Sequence, residues 1–156
     1  MSFLKKYRTY IIYAAITLGL GILSAIITGG YDIYDSFVKP ALAPPAIVFP
    51  IVWTVLYTVI GISAGMVAES NDLDKQTAIK LYFLQLIINV IWPIIFFKFE
   101  AIKFALFWLL LLIIVAGLTL KNFFSIRKTA GFLFLPYFIW LLFAFYLNFS
   151  IVVLNS

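Results

Sequence analysis

The chain has 156 residues, is 65% hydrophobic and only 11% charged, and carries a formal net charge of +5. An ordinary soluble domain is about half apolar and about a quarter charged, so a soluble globule is excluded. The absence of cysteine and histidine removes disulfides, thiolate metal sites, the commonest metal ligand and the usual general base. No metal and no cofactor are expected.

Five apolar runs follow in chain order, at about residues 9–28, 47–68, 78–97, 101–120 and 130–154. Each is near the roughly 20 residues that a helix needs to cross a bilayer core. Barrel strands would be about half as long and would alternate polar and apolar residues, which these runs do not. The expectation is an all-α integral membrane protein, a five-transmembrane-helix bundle forming one domain over residues 1–156. The first run follows Lys5, Lys6 and Arg8 but is longer than the roughly 7–15 apolar residues of a secretory signal, so it reads as a retained helix.

The basic residues orient the bundle. Lys5, Lys6, Arg8, Lys75, Lys80, Lys121, Arg127 and Lys128 fall on one side, and Lys39, Lys98 and Lys103 on the other. By the positive-inside rule the N-terminus is cytoplasmic and the C-terminus outside, in a bacterial plasma membrane. Basic residues between apolar runs fit this role and not nucleic-acid binding.

The first connection, 29–46, is the longest, and would be external. Gly29 and Gly30 suit a helix C-terminus, and Pro44 and Pro45 suit the approach to the next helix. The loop reads either as a rigid connector or as a functional segment. The third and fourth connections are short, so their helices should be antiparallel neighbours. Tyr7, Tyr10, Tyr31, Tyr34 and Tyr82 read as interfacial anchors, and Trp108 as a lipid-facing residue. Gly61 and Gly65 in the second run, and Gly21, Ala25 and Gly29 in the first, are small residues four apart. Each set suits a packing seam within the bundle or a dimer face.

No Asp, Glu, Lys or Arg lies in the middle of any run, which counts against ion-coupled transport. In the third run, Gln85, Asn89, Trp92 and Phe96 share one helical face. Pro93 cannot bond the carbonyl of Asn89, so the amide and that oxygen both need partners. For Gln85 interhelical bonding is the favoured reading, while Asn89 suits either bonding or a pocket. In the fifth run, Tyr137 precedes Trp140, Ala144 and Leu147, and the last three share a face. Trp53 and Tyr57 lie one turn apart in the second run. Trp53, Trp92 and Trp140 each share a face with small or polar residues, an arrangement that suits a flat, apolar, aromatic ligand.

The stretch from Lys39 to Tyr57, with K-P-x(3)-P-P followed by V-W-T-x-L-Y, resembles the translocator protein family. This family includes the bacterial TspO or tryptophan-rich sensory proteins and the peripheral-type benzodiazepine receptor. Asn89–Phe97 (N-V-I-W-P-I-I-F-F) and Pro136–Asn148 (P-Y-F-I-W-L-L-F-A-F-Y-L-N) extend the resemblance over nearly the whole chain. It implies a homodimer of five-helix bundles, with a porphyrin or other hydrophobic small molecule bound between the helices. It assigns Trp53, Tyr57, Asn89, Trp140, Ala144 and Leu147 to the pocket, to which the helical faces add Trp92. Lys39, Pro40, Pro44 and Pro45 match the lid. The implied function is a membrane receptor or sensor for tetrapyrroles. One alternative is light-dependent porphyrin degradation through Trp53 and Trp140, and another is facilitated transport of lipid-like or tetrapyrrole molecules. Nothing arranges acid–base or nucleophilic catalysis, so a receptor is preferred to an enzyme. Leu42 and Phe104 stand where the family has tryptophan, and the C-terminal tail lacks the basic residue of the cholesterol motif.

Overall fold

A computed structural model describes residues 7–156; Lys5 and Lys6 of the orientation argument lie outside them. Five helices are each long and apolar enough to cross a membrane. They are α1 (Arg8–Thr28), α2 (Val48–Ala68), α3 (Lys75–Pro93), α4 (Ile102–Ile126) and α5 (Lys128–Leu154). A 3-10 turn (Asp32–Ser36) lies in the first loop, and a π turn (Ile94–Lys98) continues α3. Among the described residues there is no strand. Helix α1 packs on α2, and α4 packs on both α3 and α5, as the short connections require. Helix α2 also packs on α5, which closes the bundle.

The start of α3, at Lys75 instead of residue 78, and two boundaries at the fourth connection differ from the apolar runs. Helix α4 continues to Ile126 instead of ending near residue 120, and α5 starts at Lys128. Lys121, Asn122 and Ser125 end the apolar run without ending the helix. The fourth connection is therefore a single extended residue, Arg127 (φ −152°).

Glycine sets the α1–α2 distance. A Cβ on Gly61 would sit 2.5 Å from the Cα of Ala14, and one on Gly65 would sit 2.8 Å from the Cα of Tyr10. The small pair in α2 is thus a seam within the bundle. Hydrogen bonds complete the packing where lipid offers none. Ser63 Oγ donates to the Ala130 carbonyl at 2.7 Å, and the hydroxyls of Thr17 and Tyr82 bond each other. Trp108 does not simply face lipid, because its indole donates to the Ile88 carbonyl at 2.8 Å. Tyr82 is fully buried and so is no interfacial anchor.

At Pro93 the missing N–H reorganises the helix. The N–H of Ile94 bonds the Ile91 carbonyl, and Ser24 Oγ of α1 donates to the Val90 carbonyl at 2.6 Å. A hydroxyl from the neighbouring helix thus bonds a carbonyl at the break, which leads into the π turn.

The first loop leaves α1 through Gly29 in the left-handed conformation (φ 81°). Tyr34 is the loop's anchor into the bundle, not an anchor in the membrane interface. It is 1% exposed and meets Phe49 edge-on at 4.9 Å. Lys39 lies 4.7 Å from the centre of the Tyr34 ring and pairs with Asp35 at 2.9 Å. Farther along, Asn155 at the end of α5 holds the loop backbone at two points. Its Oδ1 accepts from the Val38 N–H at 2.9 Å, and its Nδ2 donates to the Val38 carbonyl at 2.9 Å.

Burial, reinforced by the Asp35 carboxylate, pushes the Tyr34 phenol up to about 12. The neutral phenol is the form that the folded loop holds. Its contribution is complete below the ordinary value of 10.0 and is lost as pH rises toward about 12. The tyrosinate absorbance missing from Tyr34→Phe should therefore appear near pH 12, with protease cleavage of the loop increasing over the same interval. Gly61→Leu should push α1 away from α2 and lower the thermal midpoint, a loss of about 1–3 kcal/mol. Gly117→Ala, whose new methyl would meet only the Phe138 ring at 3.5 Å, should leave the midpoint unchanged or raise it.

Candidate functional site

The bundle interior on the first-loop side is built from aromatic rings. Trp53 and Tyr57, one turn apart on α2, stack with centroids 5.3 Å apart. Trp140 of α5 stands perpendicular to Trp53, at 6.4 Å and 88°. Phe49, one turn before Trp53, also meets the Trp140 ring edge-on, at 6.3 Å. Two indoles from different helices thus share an edge-to-face contact, a geometry favoured by the ring quadrupoles.

A line of polar side chains lies behind this wall. Tyr57 donates its hydroxyl to Asn89 Oδ1 at 2.7 Å, and Asn89 Nδ2 donates to the Tyr137 oxygen at 2.6 Å. Tyr137 then donates to Gln85 Oε1 at 2.5 Å. Asn89, Gln85 and Tyr137 are fully buried and Tyr57 nearly so. Both amides therefore act as interhelical bonds, joining α2, α3 and α5. Asn89 also fixes Tyr57, a residue that borders a cavity. Gln85 Nε2 has no hydrogen-bond partner.

Two cavities flank the rings. The first, of about 80 Å³, is a fissure between α1 and α2, lined by Gly21, Ser24, Tyr31, Trp53, Tyr57 and Pro93 together with rim residues. The second, of about 10 Å³, lies under Tyr34 between Phe49, Trp92, Ala144 and Leu147. Trp140 lines neither cavity but meets Trp53 of the first and Phe49 of the second, and its Nε1 is buried and unpartnered. The candidate residues thus divide. Trp53 and Tyr57 border the fissure, Trp92, Ala144 and Leu147 border the smaller cavity, and Asn89 lines neither, being held by Tyr57 and Tyr137. Trp92 is also fixed, since its indole donates to Asn148 Oδ1 at 3.3 Å.

The loop residues are placed less simply. Lys39 secures the turn through Asp35 and Tyr34. Pro40 lines a surface crevice together with Phe149 and Val153 near the end of α5. Pro44 and Pro45 shape the entry to α2, where the Pro45 carbonyl accepts from the Val48 N–H at 3.0 Å. The rings that cover the cavities are instead Tyr31 and Tyr34, which the sequence reading treats as interfacial. Tyr31 meets Phe97 edge-on at 4.8 Å. Tyr137, Phe49 and Phe97 are also missing from the sequence-derived set. The signal for Tyr137 was its helical register, seven residues before Ala144. Among the described residues no cluster of acidic side chains could hold a metal ion.

The model of the TspO/MBR family matches residues 13–154 of the chain. The tryptophan-rich protein TspO of Chlorobaculum tepidum is 35% identical over 124 residues, 78% of each chain. The tryptophan-rich sensory protein of Cereibacter sphaeroides is 35% identical over 122 residues, 78% of this chain and 76% of its own. The human translocator protein is 32% identical over 139 residues, 86% of this chain and 82% of its own. With its five apolar helices and the family match over nearly its whole length, the chain is an integral membrane protein of the TspO/MBR family.

Proposed function

We propose that this protein is a membrane receptor for a flat, apolar, aromatic ligand of the porphyrin class, held against Trp53, Tyr57 and Trp140. The observation that carries the reading is the perpendicular Trp53–Trp140 pair beside a hydrogen-bonded Tyr57. Such a set offers ring faces and edges for stacking and one fixed hydroxyl whose proton is already donated to Asn89, leaving its oxygen as an acceptor. Asn89 supports the site by aligning that hydroxyl, while Trp92, Ala144 and Leu147 form its far wall. Lys39, Pro40, Pro44 and Pro45 shape the lid, and Tyr31 and Tyr34 are the parts of it that reach the rings.

The 80 Å³ fissure is far smaller than the roughly 300–1,000 Å³ of pockets that enclose drug-sized ligands. A macrocycle therefore binds only when α1 or the loop moves. With no histidine or cysteine, recognition rests on stacking and not on axial ligation of haem iron. In this proposal the chain works as one membrane domain, as a homodimer, in a bacterial plasma membrane. Its basic end faces the cytoplasm and the first loop faces outward. Coupled transport is disfavoured by the lack of ionisable side chains in mid-span.

A titration of protoporphyrin IX into the protein in nanodiscs, followed by tryptophan fluorescence, tests the receptor. Saturable quenching is expected. Trp53→Phe combined with Trp140→Phe should weaken affinity by about tenfold, given ~0.5–1.5 kcal/mol per aromatic contact. An unchanged dissociation constant rejects the pocket assignment. The edge contact between the two indoles, with the Trp140 N–H unpartnered, also favours a light-dependent reading in which bound porphyrin is degraded. Product formed under light by the native protein, absent in the dark and reduced in Trp140→Phe, would support it. Equal yields from native and variant protein would remove it.

A further inference from the structure

The geometry points to the bilayer as the route by which a flat apolar ligand reaches Trp53, through a lateral portal between α1 and α2. This inference rests on the receptor reading above and adds the direction of entry. The fissure has two kinds of lining. Its rim, Ile22 and Ala25 of α1 with Pro50 and Thr54 of α2, is exposed on the outer surface of the bundle. Its floor, Gly21 and Ser24 with Trp53, Tyr57 and Pro93, is buried. The opening therefore runs from the lipid-facing side of two membrane-spanning helices directly to the indole and phenol rings.

The outer surface leading to it is apolar. The same helix pair forms a second crevice of about 480 Å³ along Ala14, Ala15, Thr58 and Ile62, and Leu18 borders both. The two threonines on this path present no unspent donor. Thr54 donates to the Pro50 carbonyl at 2.7 Å, and Thr58 donates to the Thr54 carbonyl at 2.8 Å. A ligand dissolved among lipid chains meets carbon along this path until it reaches Tyr57.

The loop side, by contrast, is fastened. Tyr34 is buried against Phe49, Tyr31 lies against Phe97, and Asn155 grips both backbone polar groups of Val38. Entry there needs several contacts to break together. Lateral entry needs α1 to shift near Ile22, which is 54% exposed, and the Ser24–Val90 hydrogen bond that ties the α1 side of the fissure floor to α3 must yield.

The chain has no cysteine, so single thiols can be placed and labelled after folding. Ala25→Cys is treated with a bulky methanethiosulfonate in liposomes preloaded with protoporphyrin IX, and association is followed by stopped-flow tryptophan quenching. Leu73→Cys, on the α2–α3 connection and 98% exposed, is the label control. A Val38→Cys/Asn155→Cys disulfide, confirmed by thiol titration, locks the loop. The label at position 25 should slow association by about tenfold, reductant should restore the rate, and the locked loop should bind at the native rate. A locked loop that slows association as much as the label, or a label at 25 without effect, overturns the portal while leaving the receptor intact. Native protein that shows no saturable quenching overturns the receptor, and the portal with it.

Discussion

Hydrocarbon supplies no hydrogen bonds, so polar atoms carried into the bundle are costly unless matched within it, and most are, with Gln85 Nε2 and Trp140 Nε1 among the exceptions. This constraint organises the protein more than any single apolar contact. Tyr57, Asn89, Tyr137 and Gln85 satisfy one another in sequence and join three helices at one depth. Asn148 continues the pattern, accepting from Trp92 and donating to the Ile102 carbonyl. Lipid and helix interiors are similarly apolar, so burial alone gives little direction to helix association. The polar pairs, together with the glycine contacts between α1 and α2, define which faces meet.

Proline at position 93 shows the same rule acting on the backbone. Losing one N–H disturbs a full turn, and the neighbouring helix supplies the Ser24 hydroxyl. The π turn that follows carries Phe96 and Phe97 into the bundle, where they meet rings from the first loop. A defect in one helix is thus what brings the loop and α3 together over the candidate site.

Much of this was legible in the sequence, because uninterrupted apolar runs have few alternatives. The helix count, the face shared by Gln85, Asn89, Trp92 and Phe96, and the left-handed Gly29 all follow from periodicity and local chemistry. The ends of α4 and α5 did not, since hydropathy reports where hydrocarbon stops and not where hydrogen bonding stops. Tyr34 and Tyr82 were misread for a related reason. A tyrosine near a membrane surface is amphipathic whether it faces lipid or the interior, and only the angular placement of its helix or turn separates the two. The division of the candidate residues between two cavities was also out of reach. It depends on how Trp53, Phe49 and Trp140 pack against one another in three dimensions.

The two hydrogen bonds between Val38 and Asn155 join positions 117 residues apart. Nearly every helix is therefore synthesised between the two ends of this contact. A ribosome that has delivered the first loop to the membrane has not yet made the residue that secures it. The middle of the loop stays unsecured by that contact through the insertion of α2, α3 and α4, and is fastened only after α5 has been placed. The Val38 segment of the loop is thus among the last parts of the molecule to be secured, after Tyr34 has its partner Phe49 in α2.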